Sequence, residues 1–182
     1  MKSPSSILSA AVMAVILALP VARASAATAS PGEVTKSMRE AKSAAYQLSE
    51  TADRLHSIAS VGGYSWQSHS LYLHSARHEV NELGKMLSSL EDLTPHATTV
   101  QQKGIERMRP HLVQTANALT DAIELLNDRR HHVYFPEYRE AVRTVKQQAT
   151  SMHQTLDAVL DYESAKSNLD GLEILPSSPS GS

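Results

Sequence analysis

Residues 34–59 read VTKSMREAKSAAYQLSETADRLHSIA, and their apolar or small positions fall at Val34, Met38, Ala41, Ala45, Leu48, Ala52, Leu55 and Ala59. The spacing alternates between four and three residues. An α-helix carries positions so spaced along one stripe, so the segment reads as a single helix that buries one face in a bundle seam. Ser30-Pro31-Gly32-Glu33 offers a capping box with proline at the first helical position, and Gly62-Gly63 supplies a stop. Helix 1 is therefore expected over 31–60. Its seam is rich in alanine, which lets neighbouring backbones come close.

The same period recurs along the chain. Helix 2, expected over about 65–92, has the seam Trp66, His69, Leu73, Ala76, Val80, Leu83, Leu87 and Leu90, with one polar residue, His69, at a core position. Thr94-Pro95 then reads as the cap and first residue of helix 3, whose seam is Ile105, Met108, Leu112, Ala116, Leu119, Ile123 and Leu126. Pro110 interrupts it. A proline there removes the bond to the Glu106 carbonyl and costs roughly 3 kcal/mol in a helix interior, which predicts a kink or short break. The other reading starts a separate helix at Pro110 after a loop at 102–107. The pattern lapses through Asp128 to Phe135 and resumes after Pro136 with Tyr138, Val142, Val145, Ala149, Met152, Leu156, Val159 and Tyr162, a fourth helix able to continue to Leu172. Short connections favour antiparallel neighbours. The expected fold class is all-α: an antiparallel up-down-up-down four-helix bundle over 31–173, kinked at Pro110 in helix 3.

Composition closes many functional classes. The 182 residues include no cysteine, 7 glycines, 17 basic and 19 acidic side chains, and eight aromatics in all. Disulfide scaffolds, thiolate metal sites, cysteine nucleophiles and covalently attached c-type haem are excluded. A net charge of −2 does not suit a nucleic-acid grip. Lys2, the uncharged run Ile7 to Val21 and the small-x-small triplet Ala24-Ser25-Ala26 read as a secretory signal over 1–26. At about 1.5 Å per residue that run is too short for a hydrocarbon core of about 30 Å, and no later segment offers a span. Without Lys2 and Arg23 the mature chain has 15 basic and 19 acidic residues, hence −4. It is expected in the periplasm or outside the cell, with a disordered Pro/Ser tail at 174–182. The Trp66 to His69 helix start and the Pro136-Glu137-Tyr138 start of the last helix resemble secreted bacterial four-helix-bundle proteins of unassigned function. The resemblance spans about 140 residues and implies no activity.

No phosphate loop, G-x-S-x-G, H-E-x-x-H or E-x-x-H is present, so the sequence predicts no enzyme and calls for no cofactor. His74 and His78 are one turn apart but point away from the seam. His111 and His153 flank core positions on neighbouring helices. Met38 invites comparison with b-type cytochrome bundles, yet Leu160 to Leu172 contains no histidine to complete the haem pair, and Met38 reads as core filler. Topology supplies the sharper observation. The turn joining helices 1 and 2 and the connection joining helices 3 and 4 share one pole, which gathers Tyr64, Trp66, Tyr72, Tyr134, Phe135 and Tyr138 with His56, His69, His131 and His132. Rings paired with imidazoles suit recognition of a small ligand or an envelope protein, or they plug the bundle mouth. An alternative is a zinc, copper or nickel site with His56, His69 and one of His131 or His132 as ligands. His69 is expected to bond a neighbour on helix 1 or on the 129–135 connection, because an unmet buried polar group is costly.

Overall fold

The computed structural model of the chain describes residues 30–129 and 134–173. The signal segment expected at 1–26 and the tail at 174–182 lie outside the described residues, as do His131 and His132. Among the described residues four α-helices are present: α1 (Pro31–Ser60), α2 (Trp66–Asp92), α3 (Thr99–Asp128) and α4 (Pro136–Glu173), with a 3₁₀ turn at Thr94–His96. Among the described residues no helix is long and apolar enough to cross a membrane.

All eight seam positions of α1 are buried, joined by Ile58. Its first turn is closed by the Ser30 amide, which donates to the Glu33 carboxylate at 2.9 Å, and this fixes where the helix begins. The α1–α4 contacts show how the helices run. Lys42 pairs with Asp157, Tyr46 packs against His153 and Asp53 pairs with Lys146. Each advance along α1, first four residues and then seven, is matched by the same step backwards along α4, the signature of an antiparallel heptad seam. Thr51 donating to Glu79 links α1 to α2, and Arg109 with Glu91 links α2 to α3. Each helix packs on its chain neighbours and α4 closes the square on α1, with α3–α4 the most extensive contact and α2–α3 the least. The up-down-up-down bundle is the observed architecture.

Helix 3 departs from expectation in three respects. Thr94-Pro95 opens the 3₁₀ turn, and the cap of α3 is Thr98, whose hydroxyl accepts from the Gln101 amide at 3.2 Å while the Gln101 side chain accepts from the Thr98 amide at 2.9 Å. Three residues after Thr94 stands Ala97, which has no side-chain acceptor to complete such a box. The helix also continues through 102–107 and past Pro110, so neither a short break nor a separate helix starting at Pro110 occurs. Both Pro110 and Glu106 are exposed, so the freed carbonyl lies on the flank where water can meet it. Finally, Ala116 and Ile123 are only partly buried, and the seam passes through Thr115, Ala118 and Ala122 instead. These small residues take the buried places, and Thr115 satisfies its buried hydroxyl by donating to the His111 carbonyl at 2.8 Å. At the end of α4, Tyr162 is 52% exposed and Leu160 takes the last buried place.

Candidate functional site

The pole is built from two tight connections. Gly63 adopts φ 104°, a conformation open to glycine, and so turns the chain between α1 and α2. Ser65 follows in extended backbone and begins α2, which places His69 one turn in, fully buried at its core position. On the opposite side Tyr138 is the first seam residue of α4 and is also fully buried. Its hydroxyl lies 2.9 Å from Nδ1 of His69. The partner of His69 therefore comes from α4, and not from helix 1 or the 129–135 connection as the sequence suggested. The connection still touches the ring, because Tyr134 meets it edge-on at 5.9 Å between centroids.

A second bond ties the two connections together: the Tyr134 hydroxyl donates to the Tyr64 carbonyl at 2.6 Å. Phe135 stacks obliquely on Tyr138 at 6.0 Å, and the Arg129 guanidinium sits 5.0 Å over the Phe135 ring. Trp66, Tyr72, Tyr134 and Phe135 are partly buried against the core, whereas Tyr64 is 48% and Val61 65% exposed. The pole thus has an inner layer that closes the bundle and an outer rim of apolar surface. Of the six predicted aromatics, Tyr64, Tyr134, Phe135 and Tyr138 are joined with His69 by these contacts, and Tyr138 is unavailable to any ligand without opening the core. His56 faces the α1–α4 seam, among Asp53, Lys146 and Arg143. His74 and His78 are exposed; His111 bonds Gln148 at 2.7 Å and His153 packs on Tyr46, so these last two do not converge. Met38 is core, beside Gly104.

The electrostatics are those of neutral imidazoles. Burial holds the His69 pKa below its ordinary 6.5. Burial also lowers that of His56, with Lys146 and Arg143 acting the same way and Asp53 opposing. Nε2 of His69 and Nδ1 of His56 are buried without a hydrogen-bond partner. Among the described residues no group of three or more histidine, aspartate or glutamate side chains is arranged to hold a metal ion. Because the unfolded chain takes up protons first as pH falls through 6.5, stability is expected to be flat above about pH 7.5 and to decline below it until the folded-state rings titrate. Urea unfolding at pH 5, 6, 7 and 8 checks this, and His69→Leu should make the slope shallower.

The opposite pole carries a polar network that the hydrophobic pattern did not reveal. Gln101, only 1% exposed, donates to Thr35 at 3.0 Å, and Thr98 donates to Glu163 at 2.8 Å, which joins the start of α1, the start of α3 and the end of α4. The signal was present as Thr98-x-x-Gln101, a capping box. Every polar atom of this network that the bonds engage is met within the bundle, so it reads as a clamp. No family model, curated protein or solved structure matches the chain.

Proposed function

We propose that the chain is a non-enzymatic binding module exported to the periplasm or beyond, which meets a small ligand or an envelope protein through the aromatic pole. The carrying observation is the placement of the partly buried Tyr134 ring, held by its hydroxyl's bond to the Tyr64 carbonyl and by packing on the buried His69, beside an exposed rim of Val61 and Tyr64. Rings held in place before binding lose little freedom on contact, which favours their use as a recognition surface. Lys2, the run Ile7 to Val21 and Ala24-Ser25-Ala26 support export. Replacing Trp66 and Tyr134 together by alanine should abolish any ligand retained in native mass spectrometry and any partner in pull-down, while far-UV helicity persists. Partners that survive the double change would reduce the pole to a plug.

The unpartnered nitrogens of His69 and His56 favour a second reading, binding of zinc, copper or nickel with His131 or His132 as a further ligand. Titration of the tag-free protein with each ion distinguishes it. Stoichiometric, tight uptake lost in His69→Leu supports the reading, and weak, substoichiometric uptake removes it.

A further inference from the structure

A groove of about 870 Å³ lies between the C-terminal half of α3 and the first turns of α4. Its floor is apolar, formed by Ala118, Leu125, Pro136 and Ala141. Asp121, Glu124 and Asp128 of α3 and Glu137 and Glu140 of α4 rim it, and among the described residues no lysine or arginine lines it. Glu140 is paired with Arg143 on its own helix; the other four carboxylates make no ion pair among the described residues. Elsewhere three ion pairs cross between helices, Lys42–Asp157, Asp53–Lys146 and Arg109–Glu91, and none of them reaches the groove.

The arrangement works against local electrostatics. Asp121, Glu124 and Asp128 are three and four residues apart on one face, where like charges repel. Asp128 also stands in the last turn of α3, the negative end of the helix dipole, where the C-cap Arg129 is turned over the Phe135 ring and makes no ion pair with it. Cations from outside relieve this repulsion, and an apolar stripe covers the floor. From Gln114 to Asp128 the groove wall is about 21 Å long at about 1.5 Å per residue, the length of a helix of some four turns.

We propose that this groove docks a basic amphipathic helix of a partner protein, its apolar stripe on Leu125 and Ala141 and its lysines or arginines on Asp121, Glu124, Asp128 and Glu137. The groove's lining shares no residue with the aromatic pole, which it adjoins at Pro136 and Glu137. The probe is a synthetic helical peptide of leucine and lysine at three- and four-residue spacing, compared with a version in which glutamine replaces lysine. Binding is read by fluorescence anisotropy and mapped by amide chemical shifts. The lysine peptide should perturb α3 and α4 along the groove, and the combined Asp121→Asn, Glu124→Gln and Asp128→Asn variant should bind it at least tenfold more weakly. That variant should melt no lower than the parent, since it removes repulsion. A control with the same charge change on exposed positions, Glu106→Gln, Asp161→Asn and Asp170→Asn, should lose less than twofold. The Trp66→Ala, Tyr134→Ala protein should bind the peptide as the parent does, so loss of the pole reading and loss of this one are separable. Equal weakening by both charge variants, or shifts confined to other faces, would overturn the proposal. So would spermine binding as tightly at the same residues, which makes this a small-cation site. Binding seen only after Arg130 and His131 are replaced by glutamine would make the chain's own connection the occupant and overturn it as well.

Discussion

Replacing Tyr138 by alanine is expected to lower stability by about 3–5 kcal/mol, the range for truncating a buried aromatic side chain. The ring is fully buried at the first seam position of α4, so its loss leaves a cavity beneath the pole and also takes away the partner of His69 Nδ1. Tyr138→Phe separates the two effects. It keeps the ring volume and leaves His69 with neither nitrogen partnered, for an expected loss of about 1–3 kcal/mol. His69→Leu alone strands the buried Tyr138 hydroxyl and should cost about 1 kcal/mol at neutral pH by the same reasoning. The double variant His69→Leu, Tyr138→Phe removes both polar partners together and should fall close to the parent, because an apolar pair of similar volume needs no hydrogen bond. Urea unfolding of the four proteins gives the coupling directly. Strict additivity of the two single changes would mean that the 2.9 Å contact contributes nothing.

Much of this was legible in the sequence because one physical rule, burial of a stripe at helical spacing, governs most of the chain. The seams of α1 and α2 and the start of α4 follow from it, and so does the burial of His69, since a polar residue in an otherwise apolar stripe has nowhere else to point. Topology then brought Tyr64 and Tyr134 to one pole, where they are bonded. The partner of His69 was not legible. It depends on the rotation of α4, which spacing within α2 does not constrain. Helix 3 differs for a related reason: alanine and threonine are small enough to sit on either flank, so spacing places its seam through Ala116 when the buried stripe passes through Thr115 and Ala118. Gln101 escaped notice because an apolar pattern passes over polar residues, although its capping partner Thr98 was in plain view. The acidic spacing on α3 was readable too, but only the placement of α4 turns it into a groove.

Gly104 tests how closely the bundle is packed, and its replacement by alanine should destabilise although alanine is the better helix former. In an open helix interior the change gains up to about 1 kcal/mol from helix propensity. At Gly104 the added Cβ would meet Val159 Cγ2 at 2.8 Å and Met38 Cε at 3.3 Å. Methionine is flexible and its terminal methyl can swing aside. Val159 is β-branched and stiff at χ1 within α4, so relief there requires the helices to move apart. Overpacking of this kind costs typically 1–3 kcal/mol and outweighs the propensity gain. Gly84 supplies the control, because nothing lies within 4 Å of the Cβ it would acquire. Gly84→Ala should therefore raise the melting temperature while Gly104→Ala lowers it, and Val159→Ala added to Gly104→Ala should recover part of the loss by vacating the contested space. If Gly104→Ala melted as high as Gly84→Ala, the close approach of α3 to α4 would be wrong, and the groove walls that depend on the same pairing would need to be redrawn.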